Sequence, residues 1–222
     1  SGAAKIVIPV LCRAGIAMVS PANTYPGLTK PGKGTPDEPG IYYPDACKHN
    51  YFRVVPADDL QGKVGADWAK ELGATTVYVV DDSQIYGKGV ADVFEASATA
   101  AGLTVAAHDQ ISGKETDYKA LAAKIAASGA DLMYFGGITQ QGAGQLWKDV
   151  RDASADIKLM GPDGIYEEAF LDAAGDAAEG TYLTFGGTTA DQYDGDAAAW
   201  RDAFSAKGNA IEVYTIYGYE AA

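Results

Sequence analysis

Basic residues, histidine and cysteine are all scarce in this sequence. Seventeen Lys and Arg stand against thirty Asp and Glu in 222 residues, a formal net charge of -13. Nucleic acid and anionic membrane surfaces are held by clustered Lys and Arg, so neither is expected as a partner. The two histidines, His49 and His108, are isolated along the chain, and neither cysteine has a ligand at metal spacing. No metal site and no cofactor are expected. No Gly-x-Ser-x-Gly elbow accompanies a histidine base, which removes the commonest hydrolase signature. Apolar runs fall short of the roughly 18 residues of a membrane span. No basic-then-apolar leader opens the chain, so the expectation is a soluble piece.

Two cysteines, Cys12 and Cys47, are compatible with one disulfide, as an even count in a secreted protein suggests. Two buried thiols in a cytosolic protein would look the same. The bridge is preferred because Cys47 lies in a loop that a tether would stabilise.

What is present is a regular alternation of elements. Residues 3–14 place Ala4, Val7, Ile8 and Leu11 at helical spacing, with Pro9 kinking the helix or marking its start. A buried strand over Ile16–Val19 stops at Ser20-Pro21. Residues 21–50 then hold six of the nine prolines and four glycines, reading as a long irregular loop through Tyr42-Tyr-Pro-Asp-Ala-Cys47. Loops of such length are commonly functional or disordered. A short strand follows at 51–55. Helices are expected at 59–72, 86–101, 117–128, 142–152, 166–174 and 196–206, and strands at 75–80, 103–107, 131–135, 157–160 and 180–185. The tail, 214–222, reads as the start of another helix. Strands alternating with helices of this length give βαβ units, and therefore an α/β fold with a doubly wound parallel sheet.

In such sheets ligands sit at the carboxyl ends of the strands. Four strand-end stretches carry polar or glycine-rich residues: Ser20 to Thr24, Asp81 to Gly89, Gly136 to Gly144 and Gly161 to Ile165. Ala22, Asn23 and Thr24 would offer a carbonyl, an amide and a hydroxyl together. Asp163, in a tight turn after a buried strand, is placed to meet a cation such as an ammonium, or else is only a turn residue. Tyr86 either closes over a ligand or serves as a core residue at a helix start. Gly137-x-x-x-x-Gly142 has phosphate-loop context, but Ala143 stands where a Lys is needed and no Ser or Thr follows for magnesium. Gly87-Lys-Gly89 lacks a third glycine. The pairs Asp58-Asp59, Asp81-Asp82 and Glu167-Glu168 are read as capping residues rather than acid–base groups. No catalytic machinery is found, and the chain is not expected to be an enzyme.

These stretches together resemble the periplasmic branched-chain amino-acid-type substrate-binding proteins of ABC transporters, which have the two-lobed type I fold. The matching segments are Ser1-Gly-Ala-Ala4, Ile16 to Thr24, Tyr51 to Gly62, Asp82 to Gly89, Met160 to Gly164 and Ala174 to Gly180. The resemblance implies a second lobe at 58–186. Residues 1–57 and 187–222 would be remnants of a first lobe cut at both ends, with hinge crossings near Val55 and Gly186. It implies ligand contacts at Ser1, Gly2, Ala22, Asn23 and Thr24 on one side, and at Tyr86, Gly137, Ile138, Thr139 and Asp163 on the other. Asp163 stands where the family carries Glu, and Ile138-Thr139 where the leucine-type proteins carry tyrosines, so the ligand is left open between an amino acid and a related carboxylate. The implied role is extracytoplasmic capture of a small polar solute for the membrane permease of an ABC importer. The protein would lie in the periplasm, or on the outer membrane face as a lipoprotein. The same fold as a sensor domain of a signalling receptor is the alternative, with an α/β enzyme behind it.

Overall fold

The computed structural model describes residues 1–44 and 47–222, and the chain divides into two compact units, 1–57 with 186–222 and 58–185. The Asp45-Ala46 part of the long loop lies outside the described residues.

In residues 58–185 the expected alternation forms α2 (Asp58–Glu71), β3 (Thr76–Asp81), α3 (Ile85–Ala100), β4 (Thr104–Gln110), α4 (Lys119–Ala127), β5 (Leu132–Gly136), α5 (Ala143–Ala153), β6 (Lys158–Gly161), α6 (Glu168–Ala174) and β7 (Tyr182–Leu183). The strands pair in the order β4-β3-β5-β6-β7, all parallel. Parallel strands covered on both faces are apolar on both faces, and β3 and β5 follow that rule. Val77, Val79, Leu132 and Tyr134 face α2 and α3, meeting Ala66, Ala69, Val90 and Phe94. Tyr78, Val80, Met133 and Phe135 face α4, α5 and α6, meeting Ile125, Leu146, Trp147 and Phe170. Trp147 lies edge-on to both Phe135 and Phe170. Its indole N–H donates to Thr181 Oγ1 at 2.8 Å, satisfying the one polar atom that a buried Trp brings. Helices α2 and α3 approach closely at Gly62, where a Cβ would lie 2.8 Å from the Phe94 nitrogen.

The other unit contains α1 (Gly2–Arg13), β1 (Met18–Ser20), β2 (Tyr51–Arg53), α7 (Gly195–Ser205) and α8 (Thr215–Ala221), with β1 and β2 forming a parallel pair. Three details differ from the sequence reading. The inward stripe of α1 is Ala4, Ile8 and Cys12, an i, i+4, i+8 row, while Val7 is exposed. Helix α1 begins at Gly2, so Pro9 lies inside it and does not mark its start. The strand after it starts at Met18 and is only partly buried: Val19 within it and Ile16 before it are half exposed. Val19 pairs with Phe52, also half exposed, so one face of this ribbon is open while Met18 and Tyr51 point into a small core with Ala4, Ile8, Leu28 and Tyr42. In the 58–185 unit, β7 keeps only two of the residues expected to be strand.

Cys12 and Cys47 form a disulfide that ties α1 to the end of the long loop, with Cα atoms 5.8 Å apart. A buried carboxylate holds the same loop from within. Glu38 receives hydrogen bonds from Lys5 Nζ (2.5 Å), Tyr25 OH (2.8 Å), Thr35 N (2.9 Å) and Tyr42 OH. Burial pushes its pKa up, but these donors outweigh burial and bring it from 4.5 down to about 2. A depressed carboxyl contributes stability above its unfolded value that is lost as the pH falls through the folded one. Glu38→Gln is therefore expected to cost about 2–3 kcal/mol at pH 7. In urea melts the difference from the unmodified chain should shrink between pH 4.5 and about 2.

Candidate functional site

Parallel register puts the carboxyl ends of β3, β5 and β6 side by side, with Asp81 opposite Gly136 and Tyr134 opposite Met160. Three loops leave this edge, and a buried aspartate staples two of them. Asp82 Oδ1 accepts from Gln84 N at 2.9 Å in its own loop, and Oδ2 from Ile138 N at 3.3 Å in the loop after β5. The Asp81-Asp82 pair thus closes turns and joins loops instead of capping α3, whose N-cap, Gln84, makes no capping bond. Glu167 likewise makes no capping bond and takes Gln140 Nε2 at 2.9 Å.

Asp163 lies in the short turn after β6 and is buried. Tyr86, in the first turn of α3, donates its hydroxyl to Asp163 Oδ1 at 2.7 Å and accepts from Gly164 N at 3.2 Å. Gly164 fits between these loops: a Cβ there would lie 2.8 Å from the Tyr86 ring and 3.1 Å from Ile138 Cγ2, and against the Gly137 carbonyl. Tyr86, Gly137, Ile138 and Asp163 therefore converge. Thr139 follows, with a buried hydroxyl that has no hydrogen-bond partner among the described residues. Burial raises the Asp163 carboxyl above its ordinary 3.8, against the lowering effect of hydrogen bonds from Tyr86 and Gln61. Burial, then the field of Asp163, holds the Tyr86 phenol neutral far above its ordinary value. Tyr134 OH is buried without a hydrogen-bond partner among the described residues, and burial, then the fields of Asp58 and Asp163, raises its pKa.

In the other unit, Ser1 Oγ accepts from Tyr25 N at 3.3 Å, bringing the start of α1 beside the loop after β1. Ser20 Oγ accepts from Asn23 N at 2.9 Å and from Ala22 N at 3.3 Å. The Asn23 carbonyl is taken by Arg53 Nη1 at 3.1 Å, so that residue is tied into the loop's framework. Thr24 is buried, and its hydroxyl has no hydrogen-bond partner among the described residues. A buried, unbonded hydroxyl costs about 1–3 kcal/mol in a protein interior, and a ligand atom would relieve that cost. Ala22 is exposed, and Gly2 opens α1 behind Ser1.

Sequence reasoning missed Gln61, Tyr134 and Arg53. Gln61 lies three residues after Asp58, a spacing that reads as a capping box; the structure gives its side-chain amide to Thr184 O at 2.9 Å, and that amide lowers the pKa of the Asp163 carboxyl. Tyr134 reads as one more apolar strand residue. His108 is isolated in sequence only: its ring nitrogens meet Glu95 and Asp81.

The doubly wound parallel sheet is that of a type I periplasmic binding protein. LivJ of Streptococcus pneumoniae, a branched-chain amino acid transporter substrate-binding protein solved in complex with isoleucine, superposes with a TM-score of 0.81 at 24% identity, covering 99% of this chain and 59% of that one. A solute-binding protein of an ABC transporter from R. palustris, in complex with benzoate, gives 0.78 at 21% identity, covering 100% and 57%. The Leu/Ile/Val-binding protein BraC3 of Rhizobium johnstonii is 34% identical over 222 residues, all of this chain and 56% of that protein. The chain belongs to the periplasmic binding protein family, which it matches over residues 1–222. That family consists of solute-binding proteins, not enzymes. The chain spans about half the length of the curated relatives it matches. No described helix is long and apolar enough to cross a membrane.

A buried carboxylate with a raised pKa opposes folding at neutral pH, and an isosteric amide removes the charge while still accepting from Tyr86. Asp163→Asn is expected to raise the ligand-free melting midpoint at pH 7 by about 2–4 °C. The gain should narrow in scanning calorimetry as the pH falls through the raised carboxyl value.

Proposed function

We propose that this chain is the ligand-capturing part of an extracytoplasmic solute-binding component of an ABC importer, and that its solute is a small amino acid. The observation that carries the reading is Asp163: a buried carboxylate at a strand end, oriented by Tyr86, whose charge is best compensated by a ligand cation. In this reading residues 58–186 form one lobe, and 1–57 with 187–222 belong to the other. The lobes close about crossings near Val55 and Gly186. Asp163 and Tyr86 meet the ligand's ammonium, while Ser1, Gly2, Ala22, Asn23 and Thr24 meet its carboxylate. Gly137, Ile138 and Thr139 border the side chain, where Ile138 offers an aliphatic surface. No bond is broken, so each role is a contact. The partner is the importer's membrane permease, and the location is the periplasm or the outer face of the membrane.

A buried acid repels a carboxylate that has no compensating amine, which is why the amino acid is favoured over a benzoate-type ligand. Thermal-shift measurements decide between them, using leucine, isoleucine, valine, their amides and the matching deaminated acids. A ligand at about 100 times its Kd adds roughly 2.7 kcal/mol, a rise of several degrees at this size. A rise with the amino acids alone, lost in Asp163→Ala, supports the reading. Equal rises with deaminated acids overturn Asp163 as the ammonium partner, and no rise with any of the panel overturns the amino-acid reading.

A further inference from the structure

His108 lies on edge strand β4, on the face covered by α3. Its Nδ1 is 2.6 Å from Glu95 Oε2 of α3, and its Nε2 is 3.0 Å from Asp81 Oδ2 at the end of β3. A neutral imidazole has a single N–H to donate, so both contacts are hydrogen bonds only when the ring is the imidazolium. Asp81 is fully buried and needs such a partner.

The other side of Asp81 leads toward the site. Its Oδ1 accepts from Ser83 N at 2.6 Å, its carbonyl accepts from Ile111 N at 2.8 Å, and the Ser83 hydroxyl donates to Ile111 O at 2.9 Å. Ser83 has φ 60°, a left-handed conformation that a serine keeps only when its surroundings hold it there. Three residues later comes Tyr86, whose hydroxyl bonds Asp163. Glu95, His108, Asp81 and Ser83 thus form one hydrogen-bonded series ending at the turn that launches α3.

The remaining charges around the ring are accounted for. On α3, Asp92 is held by Lys88 at 2.7 and 2.8 Å. On β4, Asp109 takes Lys124 at 2.6 Å and the Tyr78 hydroxyl. In the β3 loop, Asp82 faces backbone N–H groups of Gln84 and Ile138.

We propose that His108 is a proton-operated tie that holds the Asp81–Ser83 turn, and with it Tyr86, firmly in mildly acidic solution and loosens it as the pH rises. The hydrogen bond to Asp81 lifts the imidazole above its ordinary 6.5, against burial and with help from Glu95. A raised histidine contributes stability that is fully present below its unfolded value and is lost as the pH climbs through the folded one. The consequence for ligand capture rests on Tyr86 being a ligand contact. The ring titration and the backbone protection do not, so the two readings fail separately.

The test is made on the full chain by NMR, with His49→Gln assigning the two rings. At pH 6.5 the His108 ring is expected to carry protons on both nitrogens and to deprotonate at higher pH. Amide-exchange protection at Ser83 to Tyr86, corrected for intrinsic base catalysis, is expected to fall over the same range. The melting midpoint of the unmodified chain should drop by about 2–4 °C across that transition, and His108→Gln should remove the pH-dependent part. If that variant does not fold, the ring titration and the exchange profile of the unmodified chain decide alone. A neutral ring at pH 6.5 would overturn the proposal. So would protection that is flat through deprotonation, or a transition abolished by EDTA, which would assign the tie to a bound cation.

Discussion

A parallel sheet aligns the carboxyl ends of its strands, and in residues 58–185 that alignment decides where every candidate ligand contact lies. Strands β3, β5 and β6 end side by side, so Tyr86, Gly137, Ile138 and Asp163 meet although they span 78 residues of sequence. The alignment is kept by cores on both faces of the sheet, where Phe94 stacks on Tyr134 on one side and Trp147 meets Phe135 and Phe170 on the other. With both faces filled by apolar side chains, polar groups collect at the strand ends. Asp163 is one such group, a carboxylate kept in a poor environment for charge by an otherwise well-packed unit. Functional sites commonly depart in this way from what stability alone would select.

Most of this architecture is legible in the sequence because two-sided burial writes itself into composition. Runs such as Thr75 to Val80 and Asp131 to Phe135 are apolar without alternation, and each is followed by glycine or aspartate and then a helix. The strand over Ile16–Val19 reads as buried for the same reason, yet it lies in a two-stranded ribbon with one open face. Hydrophobicity records what a residue favours, whereas exposure depends on which neighbours are present. Asp163 and Tyr86 are legible as strand-end groups, but their mutual hydrogen bond joins distant segments and has no local signal. Gln61 and Asp82 are hidden more thoroughly, since at their positions capping and turn closure are sufficient explanations.

The unit formed by 1–57 and 186–222 relies on different physics. Its long proline-rich loop has little regular structure to hold it, and it is fixed by a disulfide at one end and by Glu38 inside. Arg53 adds a third anchor by donating to the carbonyls of Asn23 and Tyr25 and to Thr29 Oγ1. These ties orient the segment that carries Thr24, whose hydroxyl is buried and has no partner among the described residues. A hydroxyl without a partner among the described residues at Thr24, and separately a buried carboxylate at Asp163, are each a cost to the ligand-free protein.

The most direct measurement is an NMR titration of the isotopically labelled chain with isoleucine, reading backbone amide shifts residue by residue. The account predicts saturable shifts concentrated at Thr24, Tyr86, Gly137 to Thr139 and Gly164, with the rest of the sheet unmoved. Saturable shifts located away from the strand ends, or no shifts at millimolar isoleucine, would contradict it.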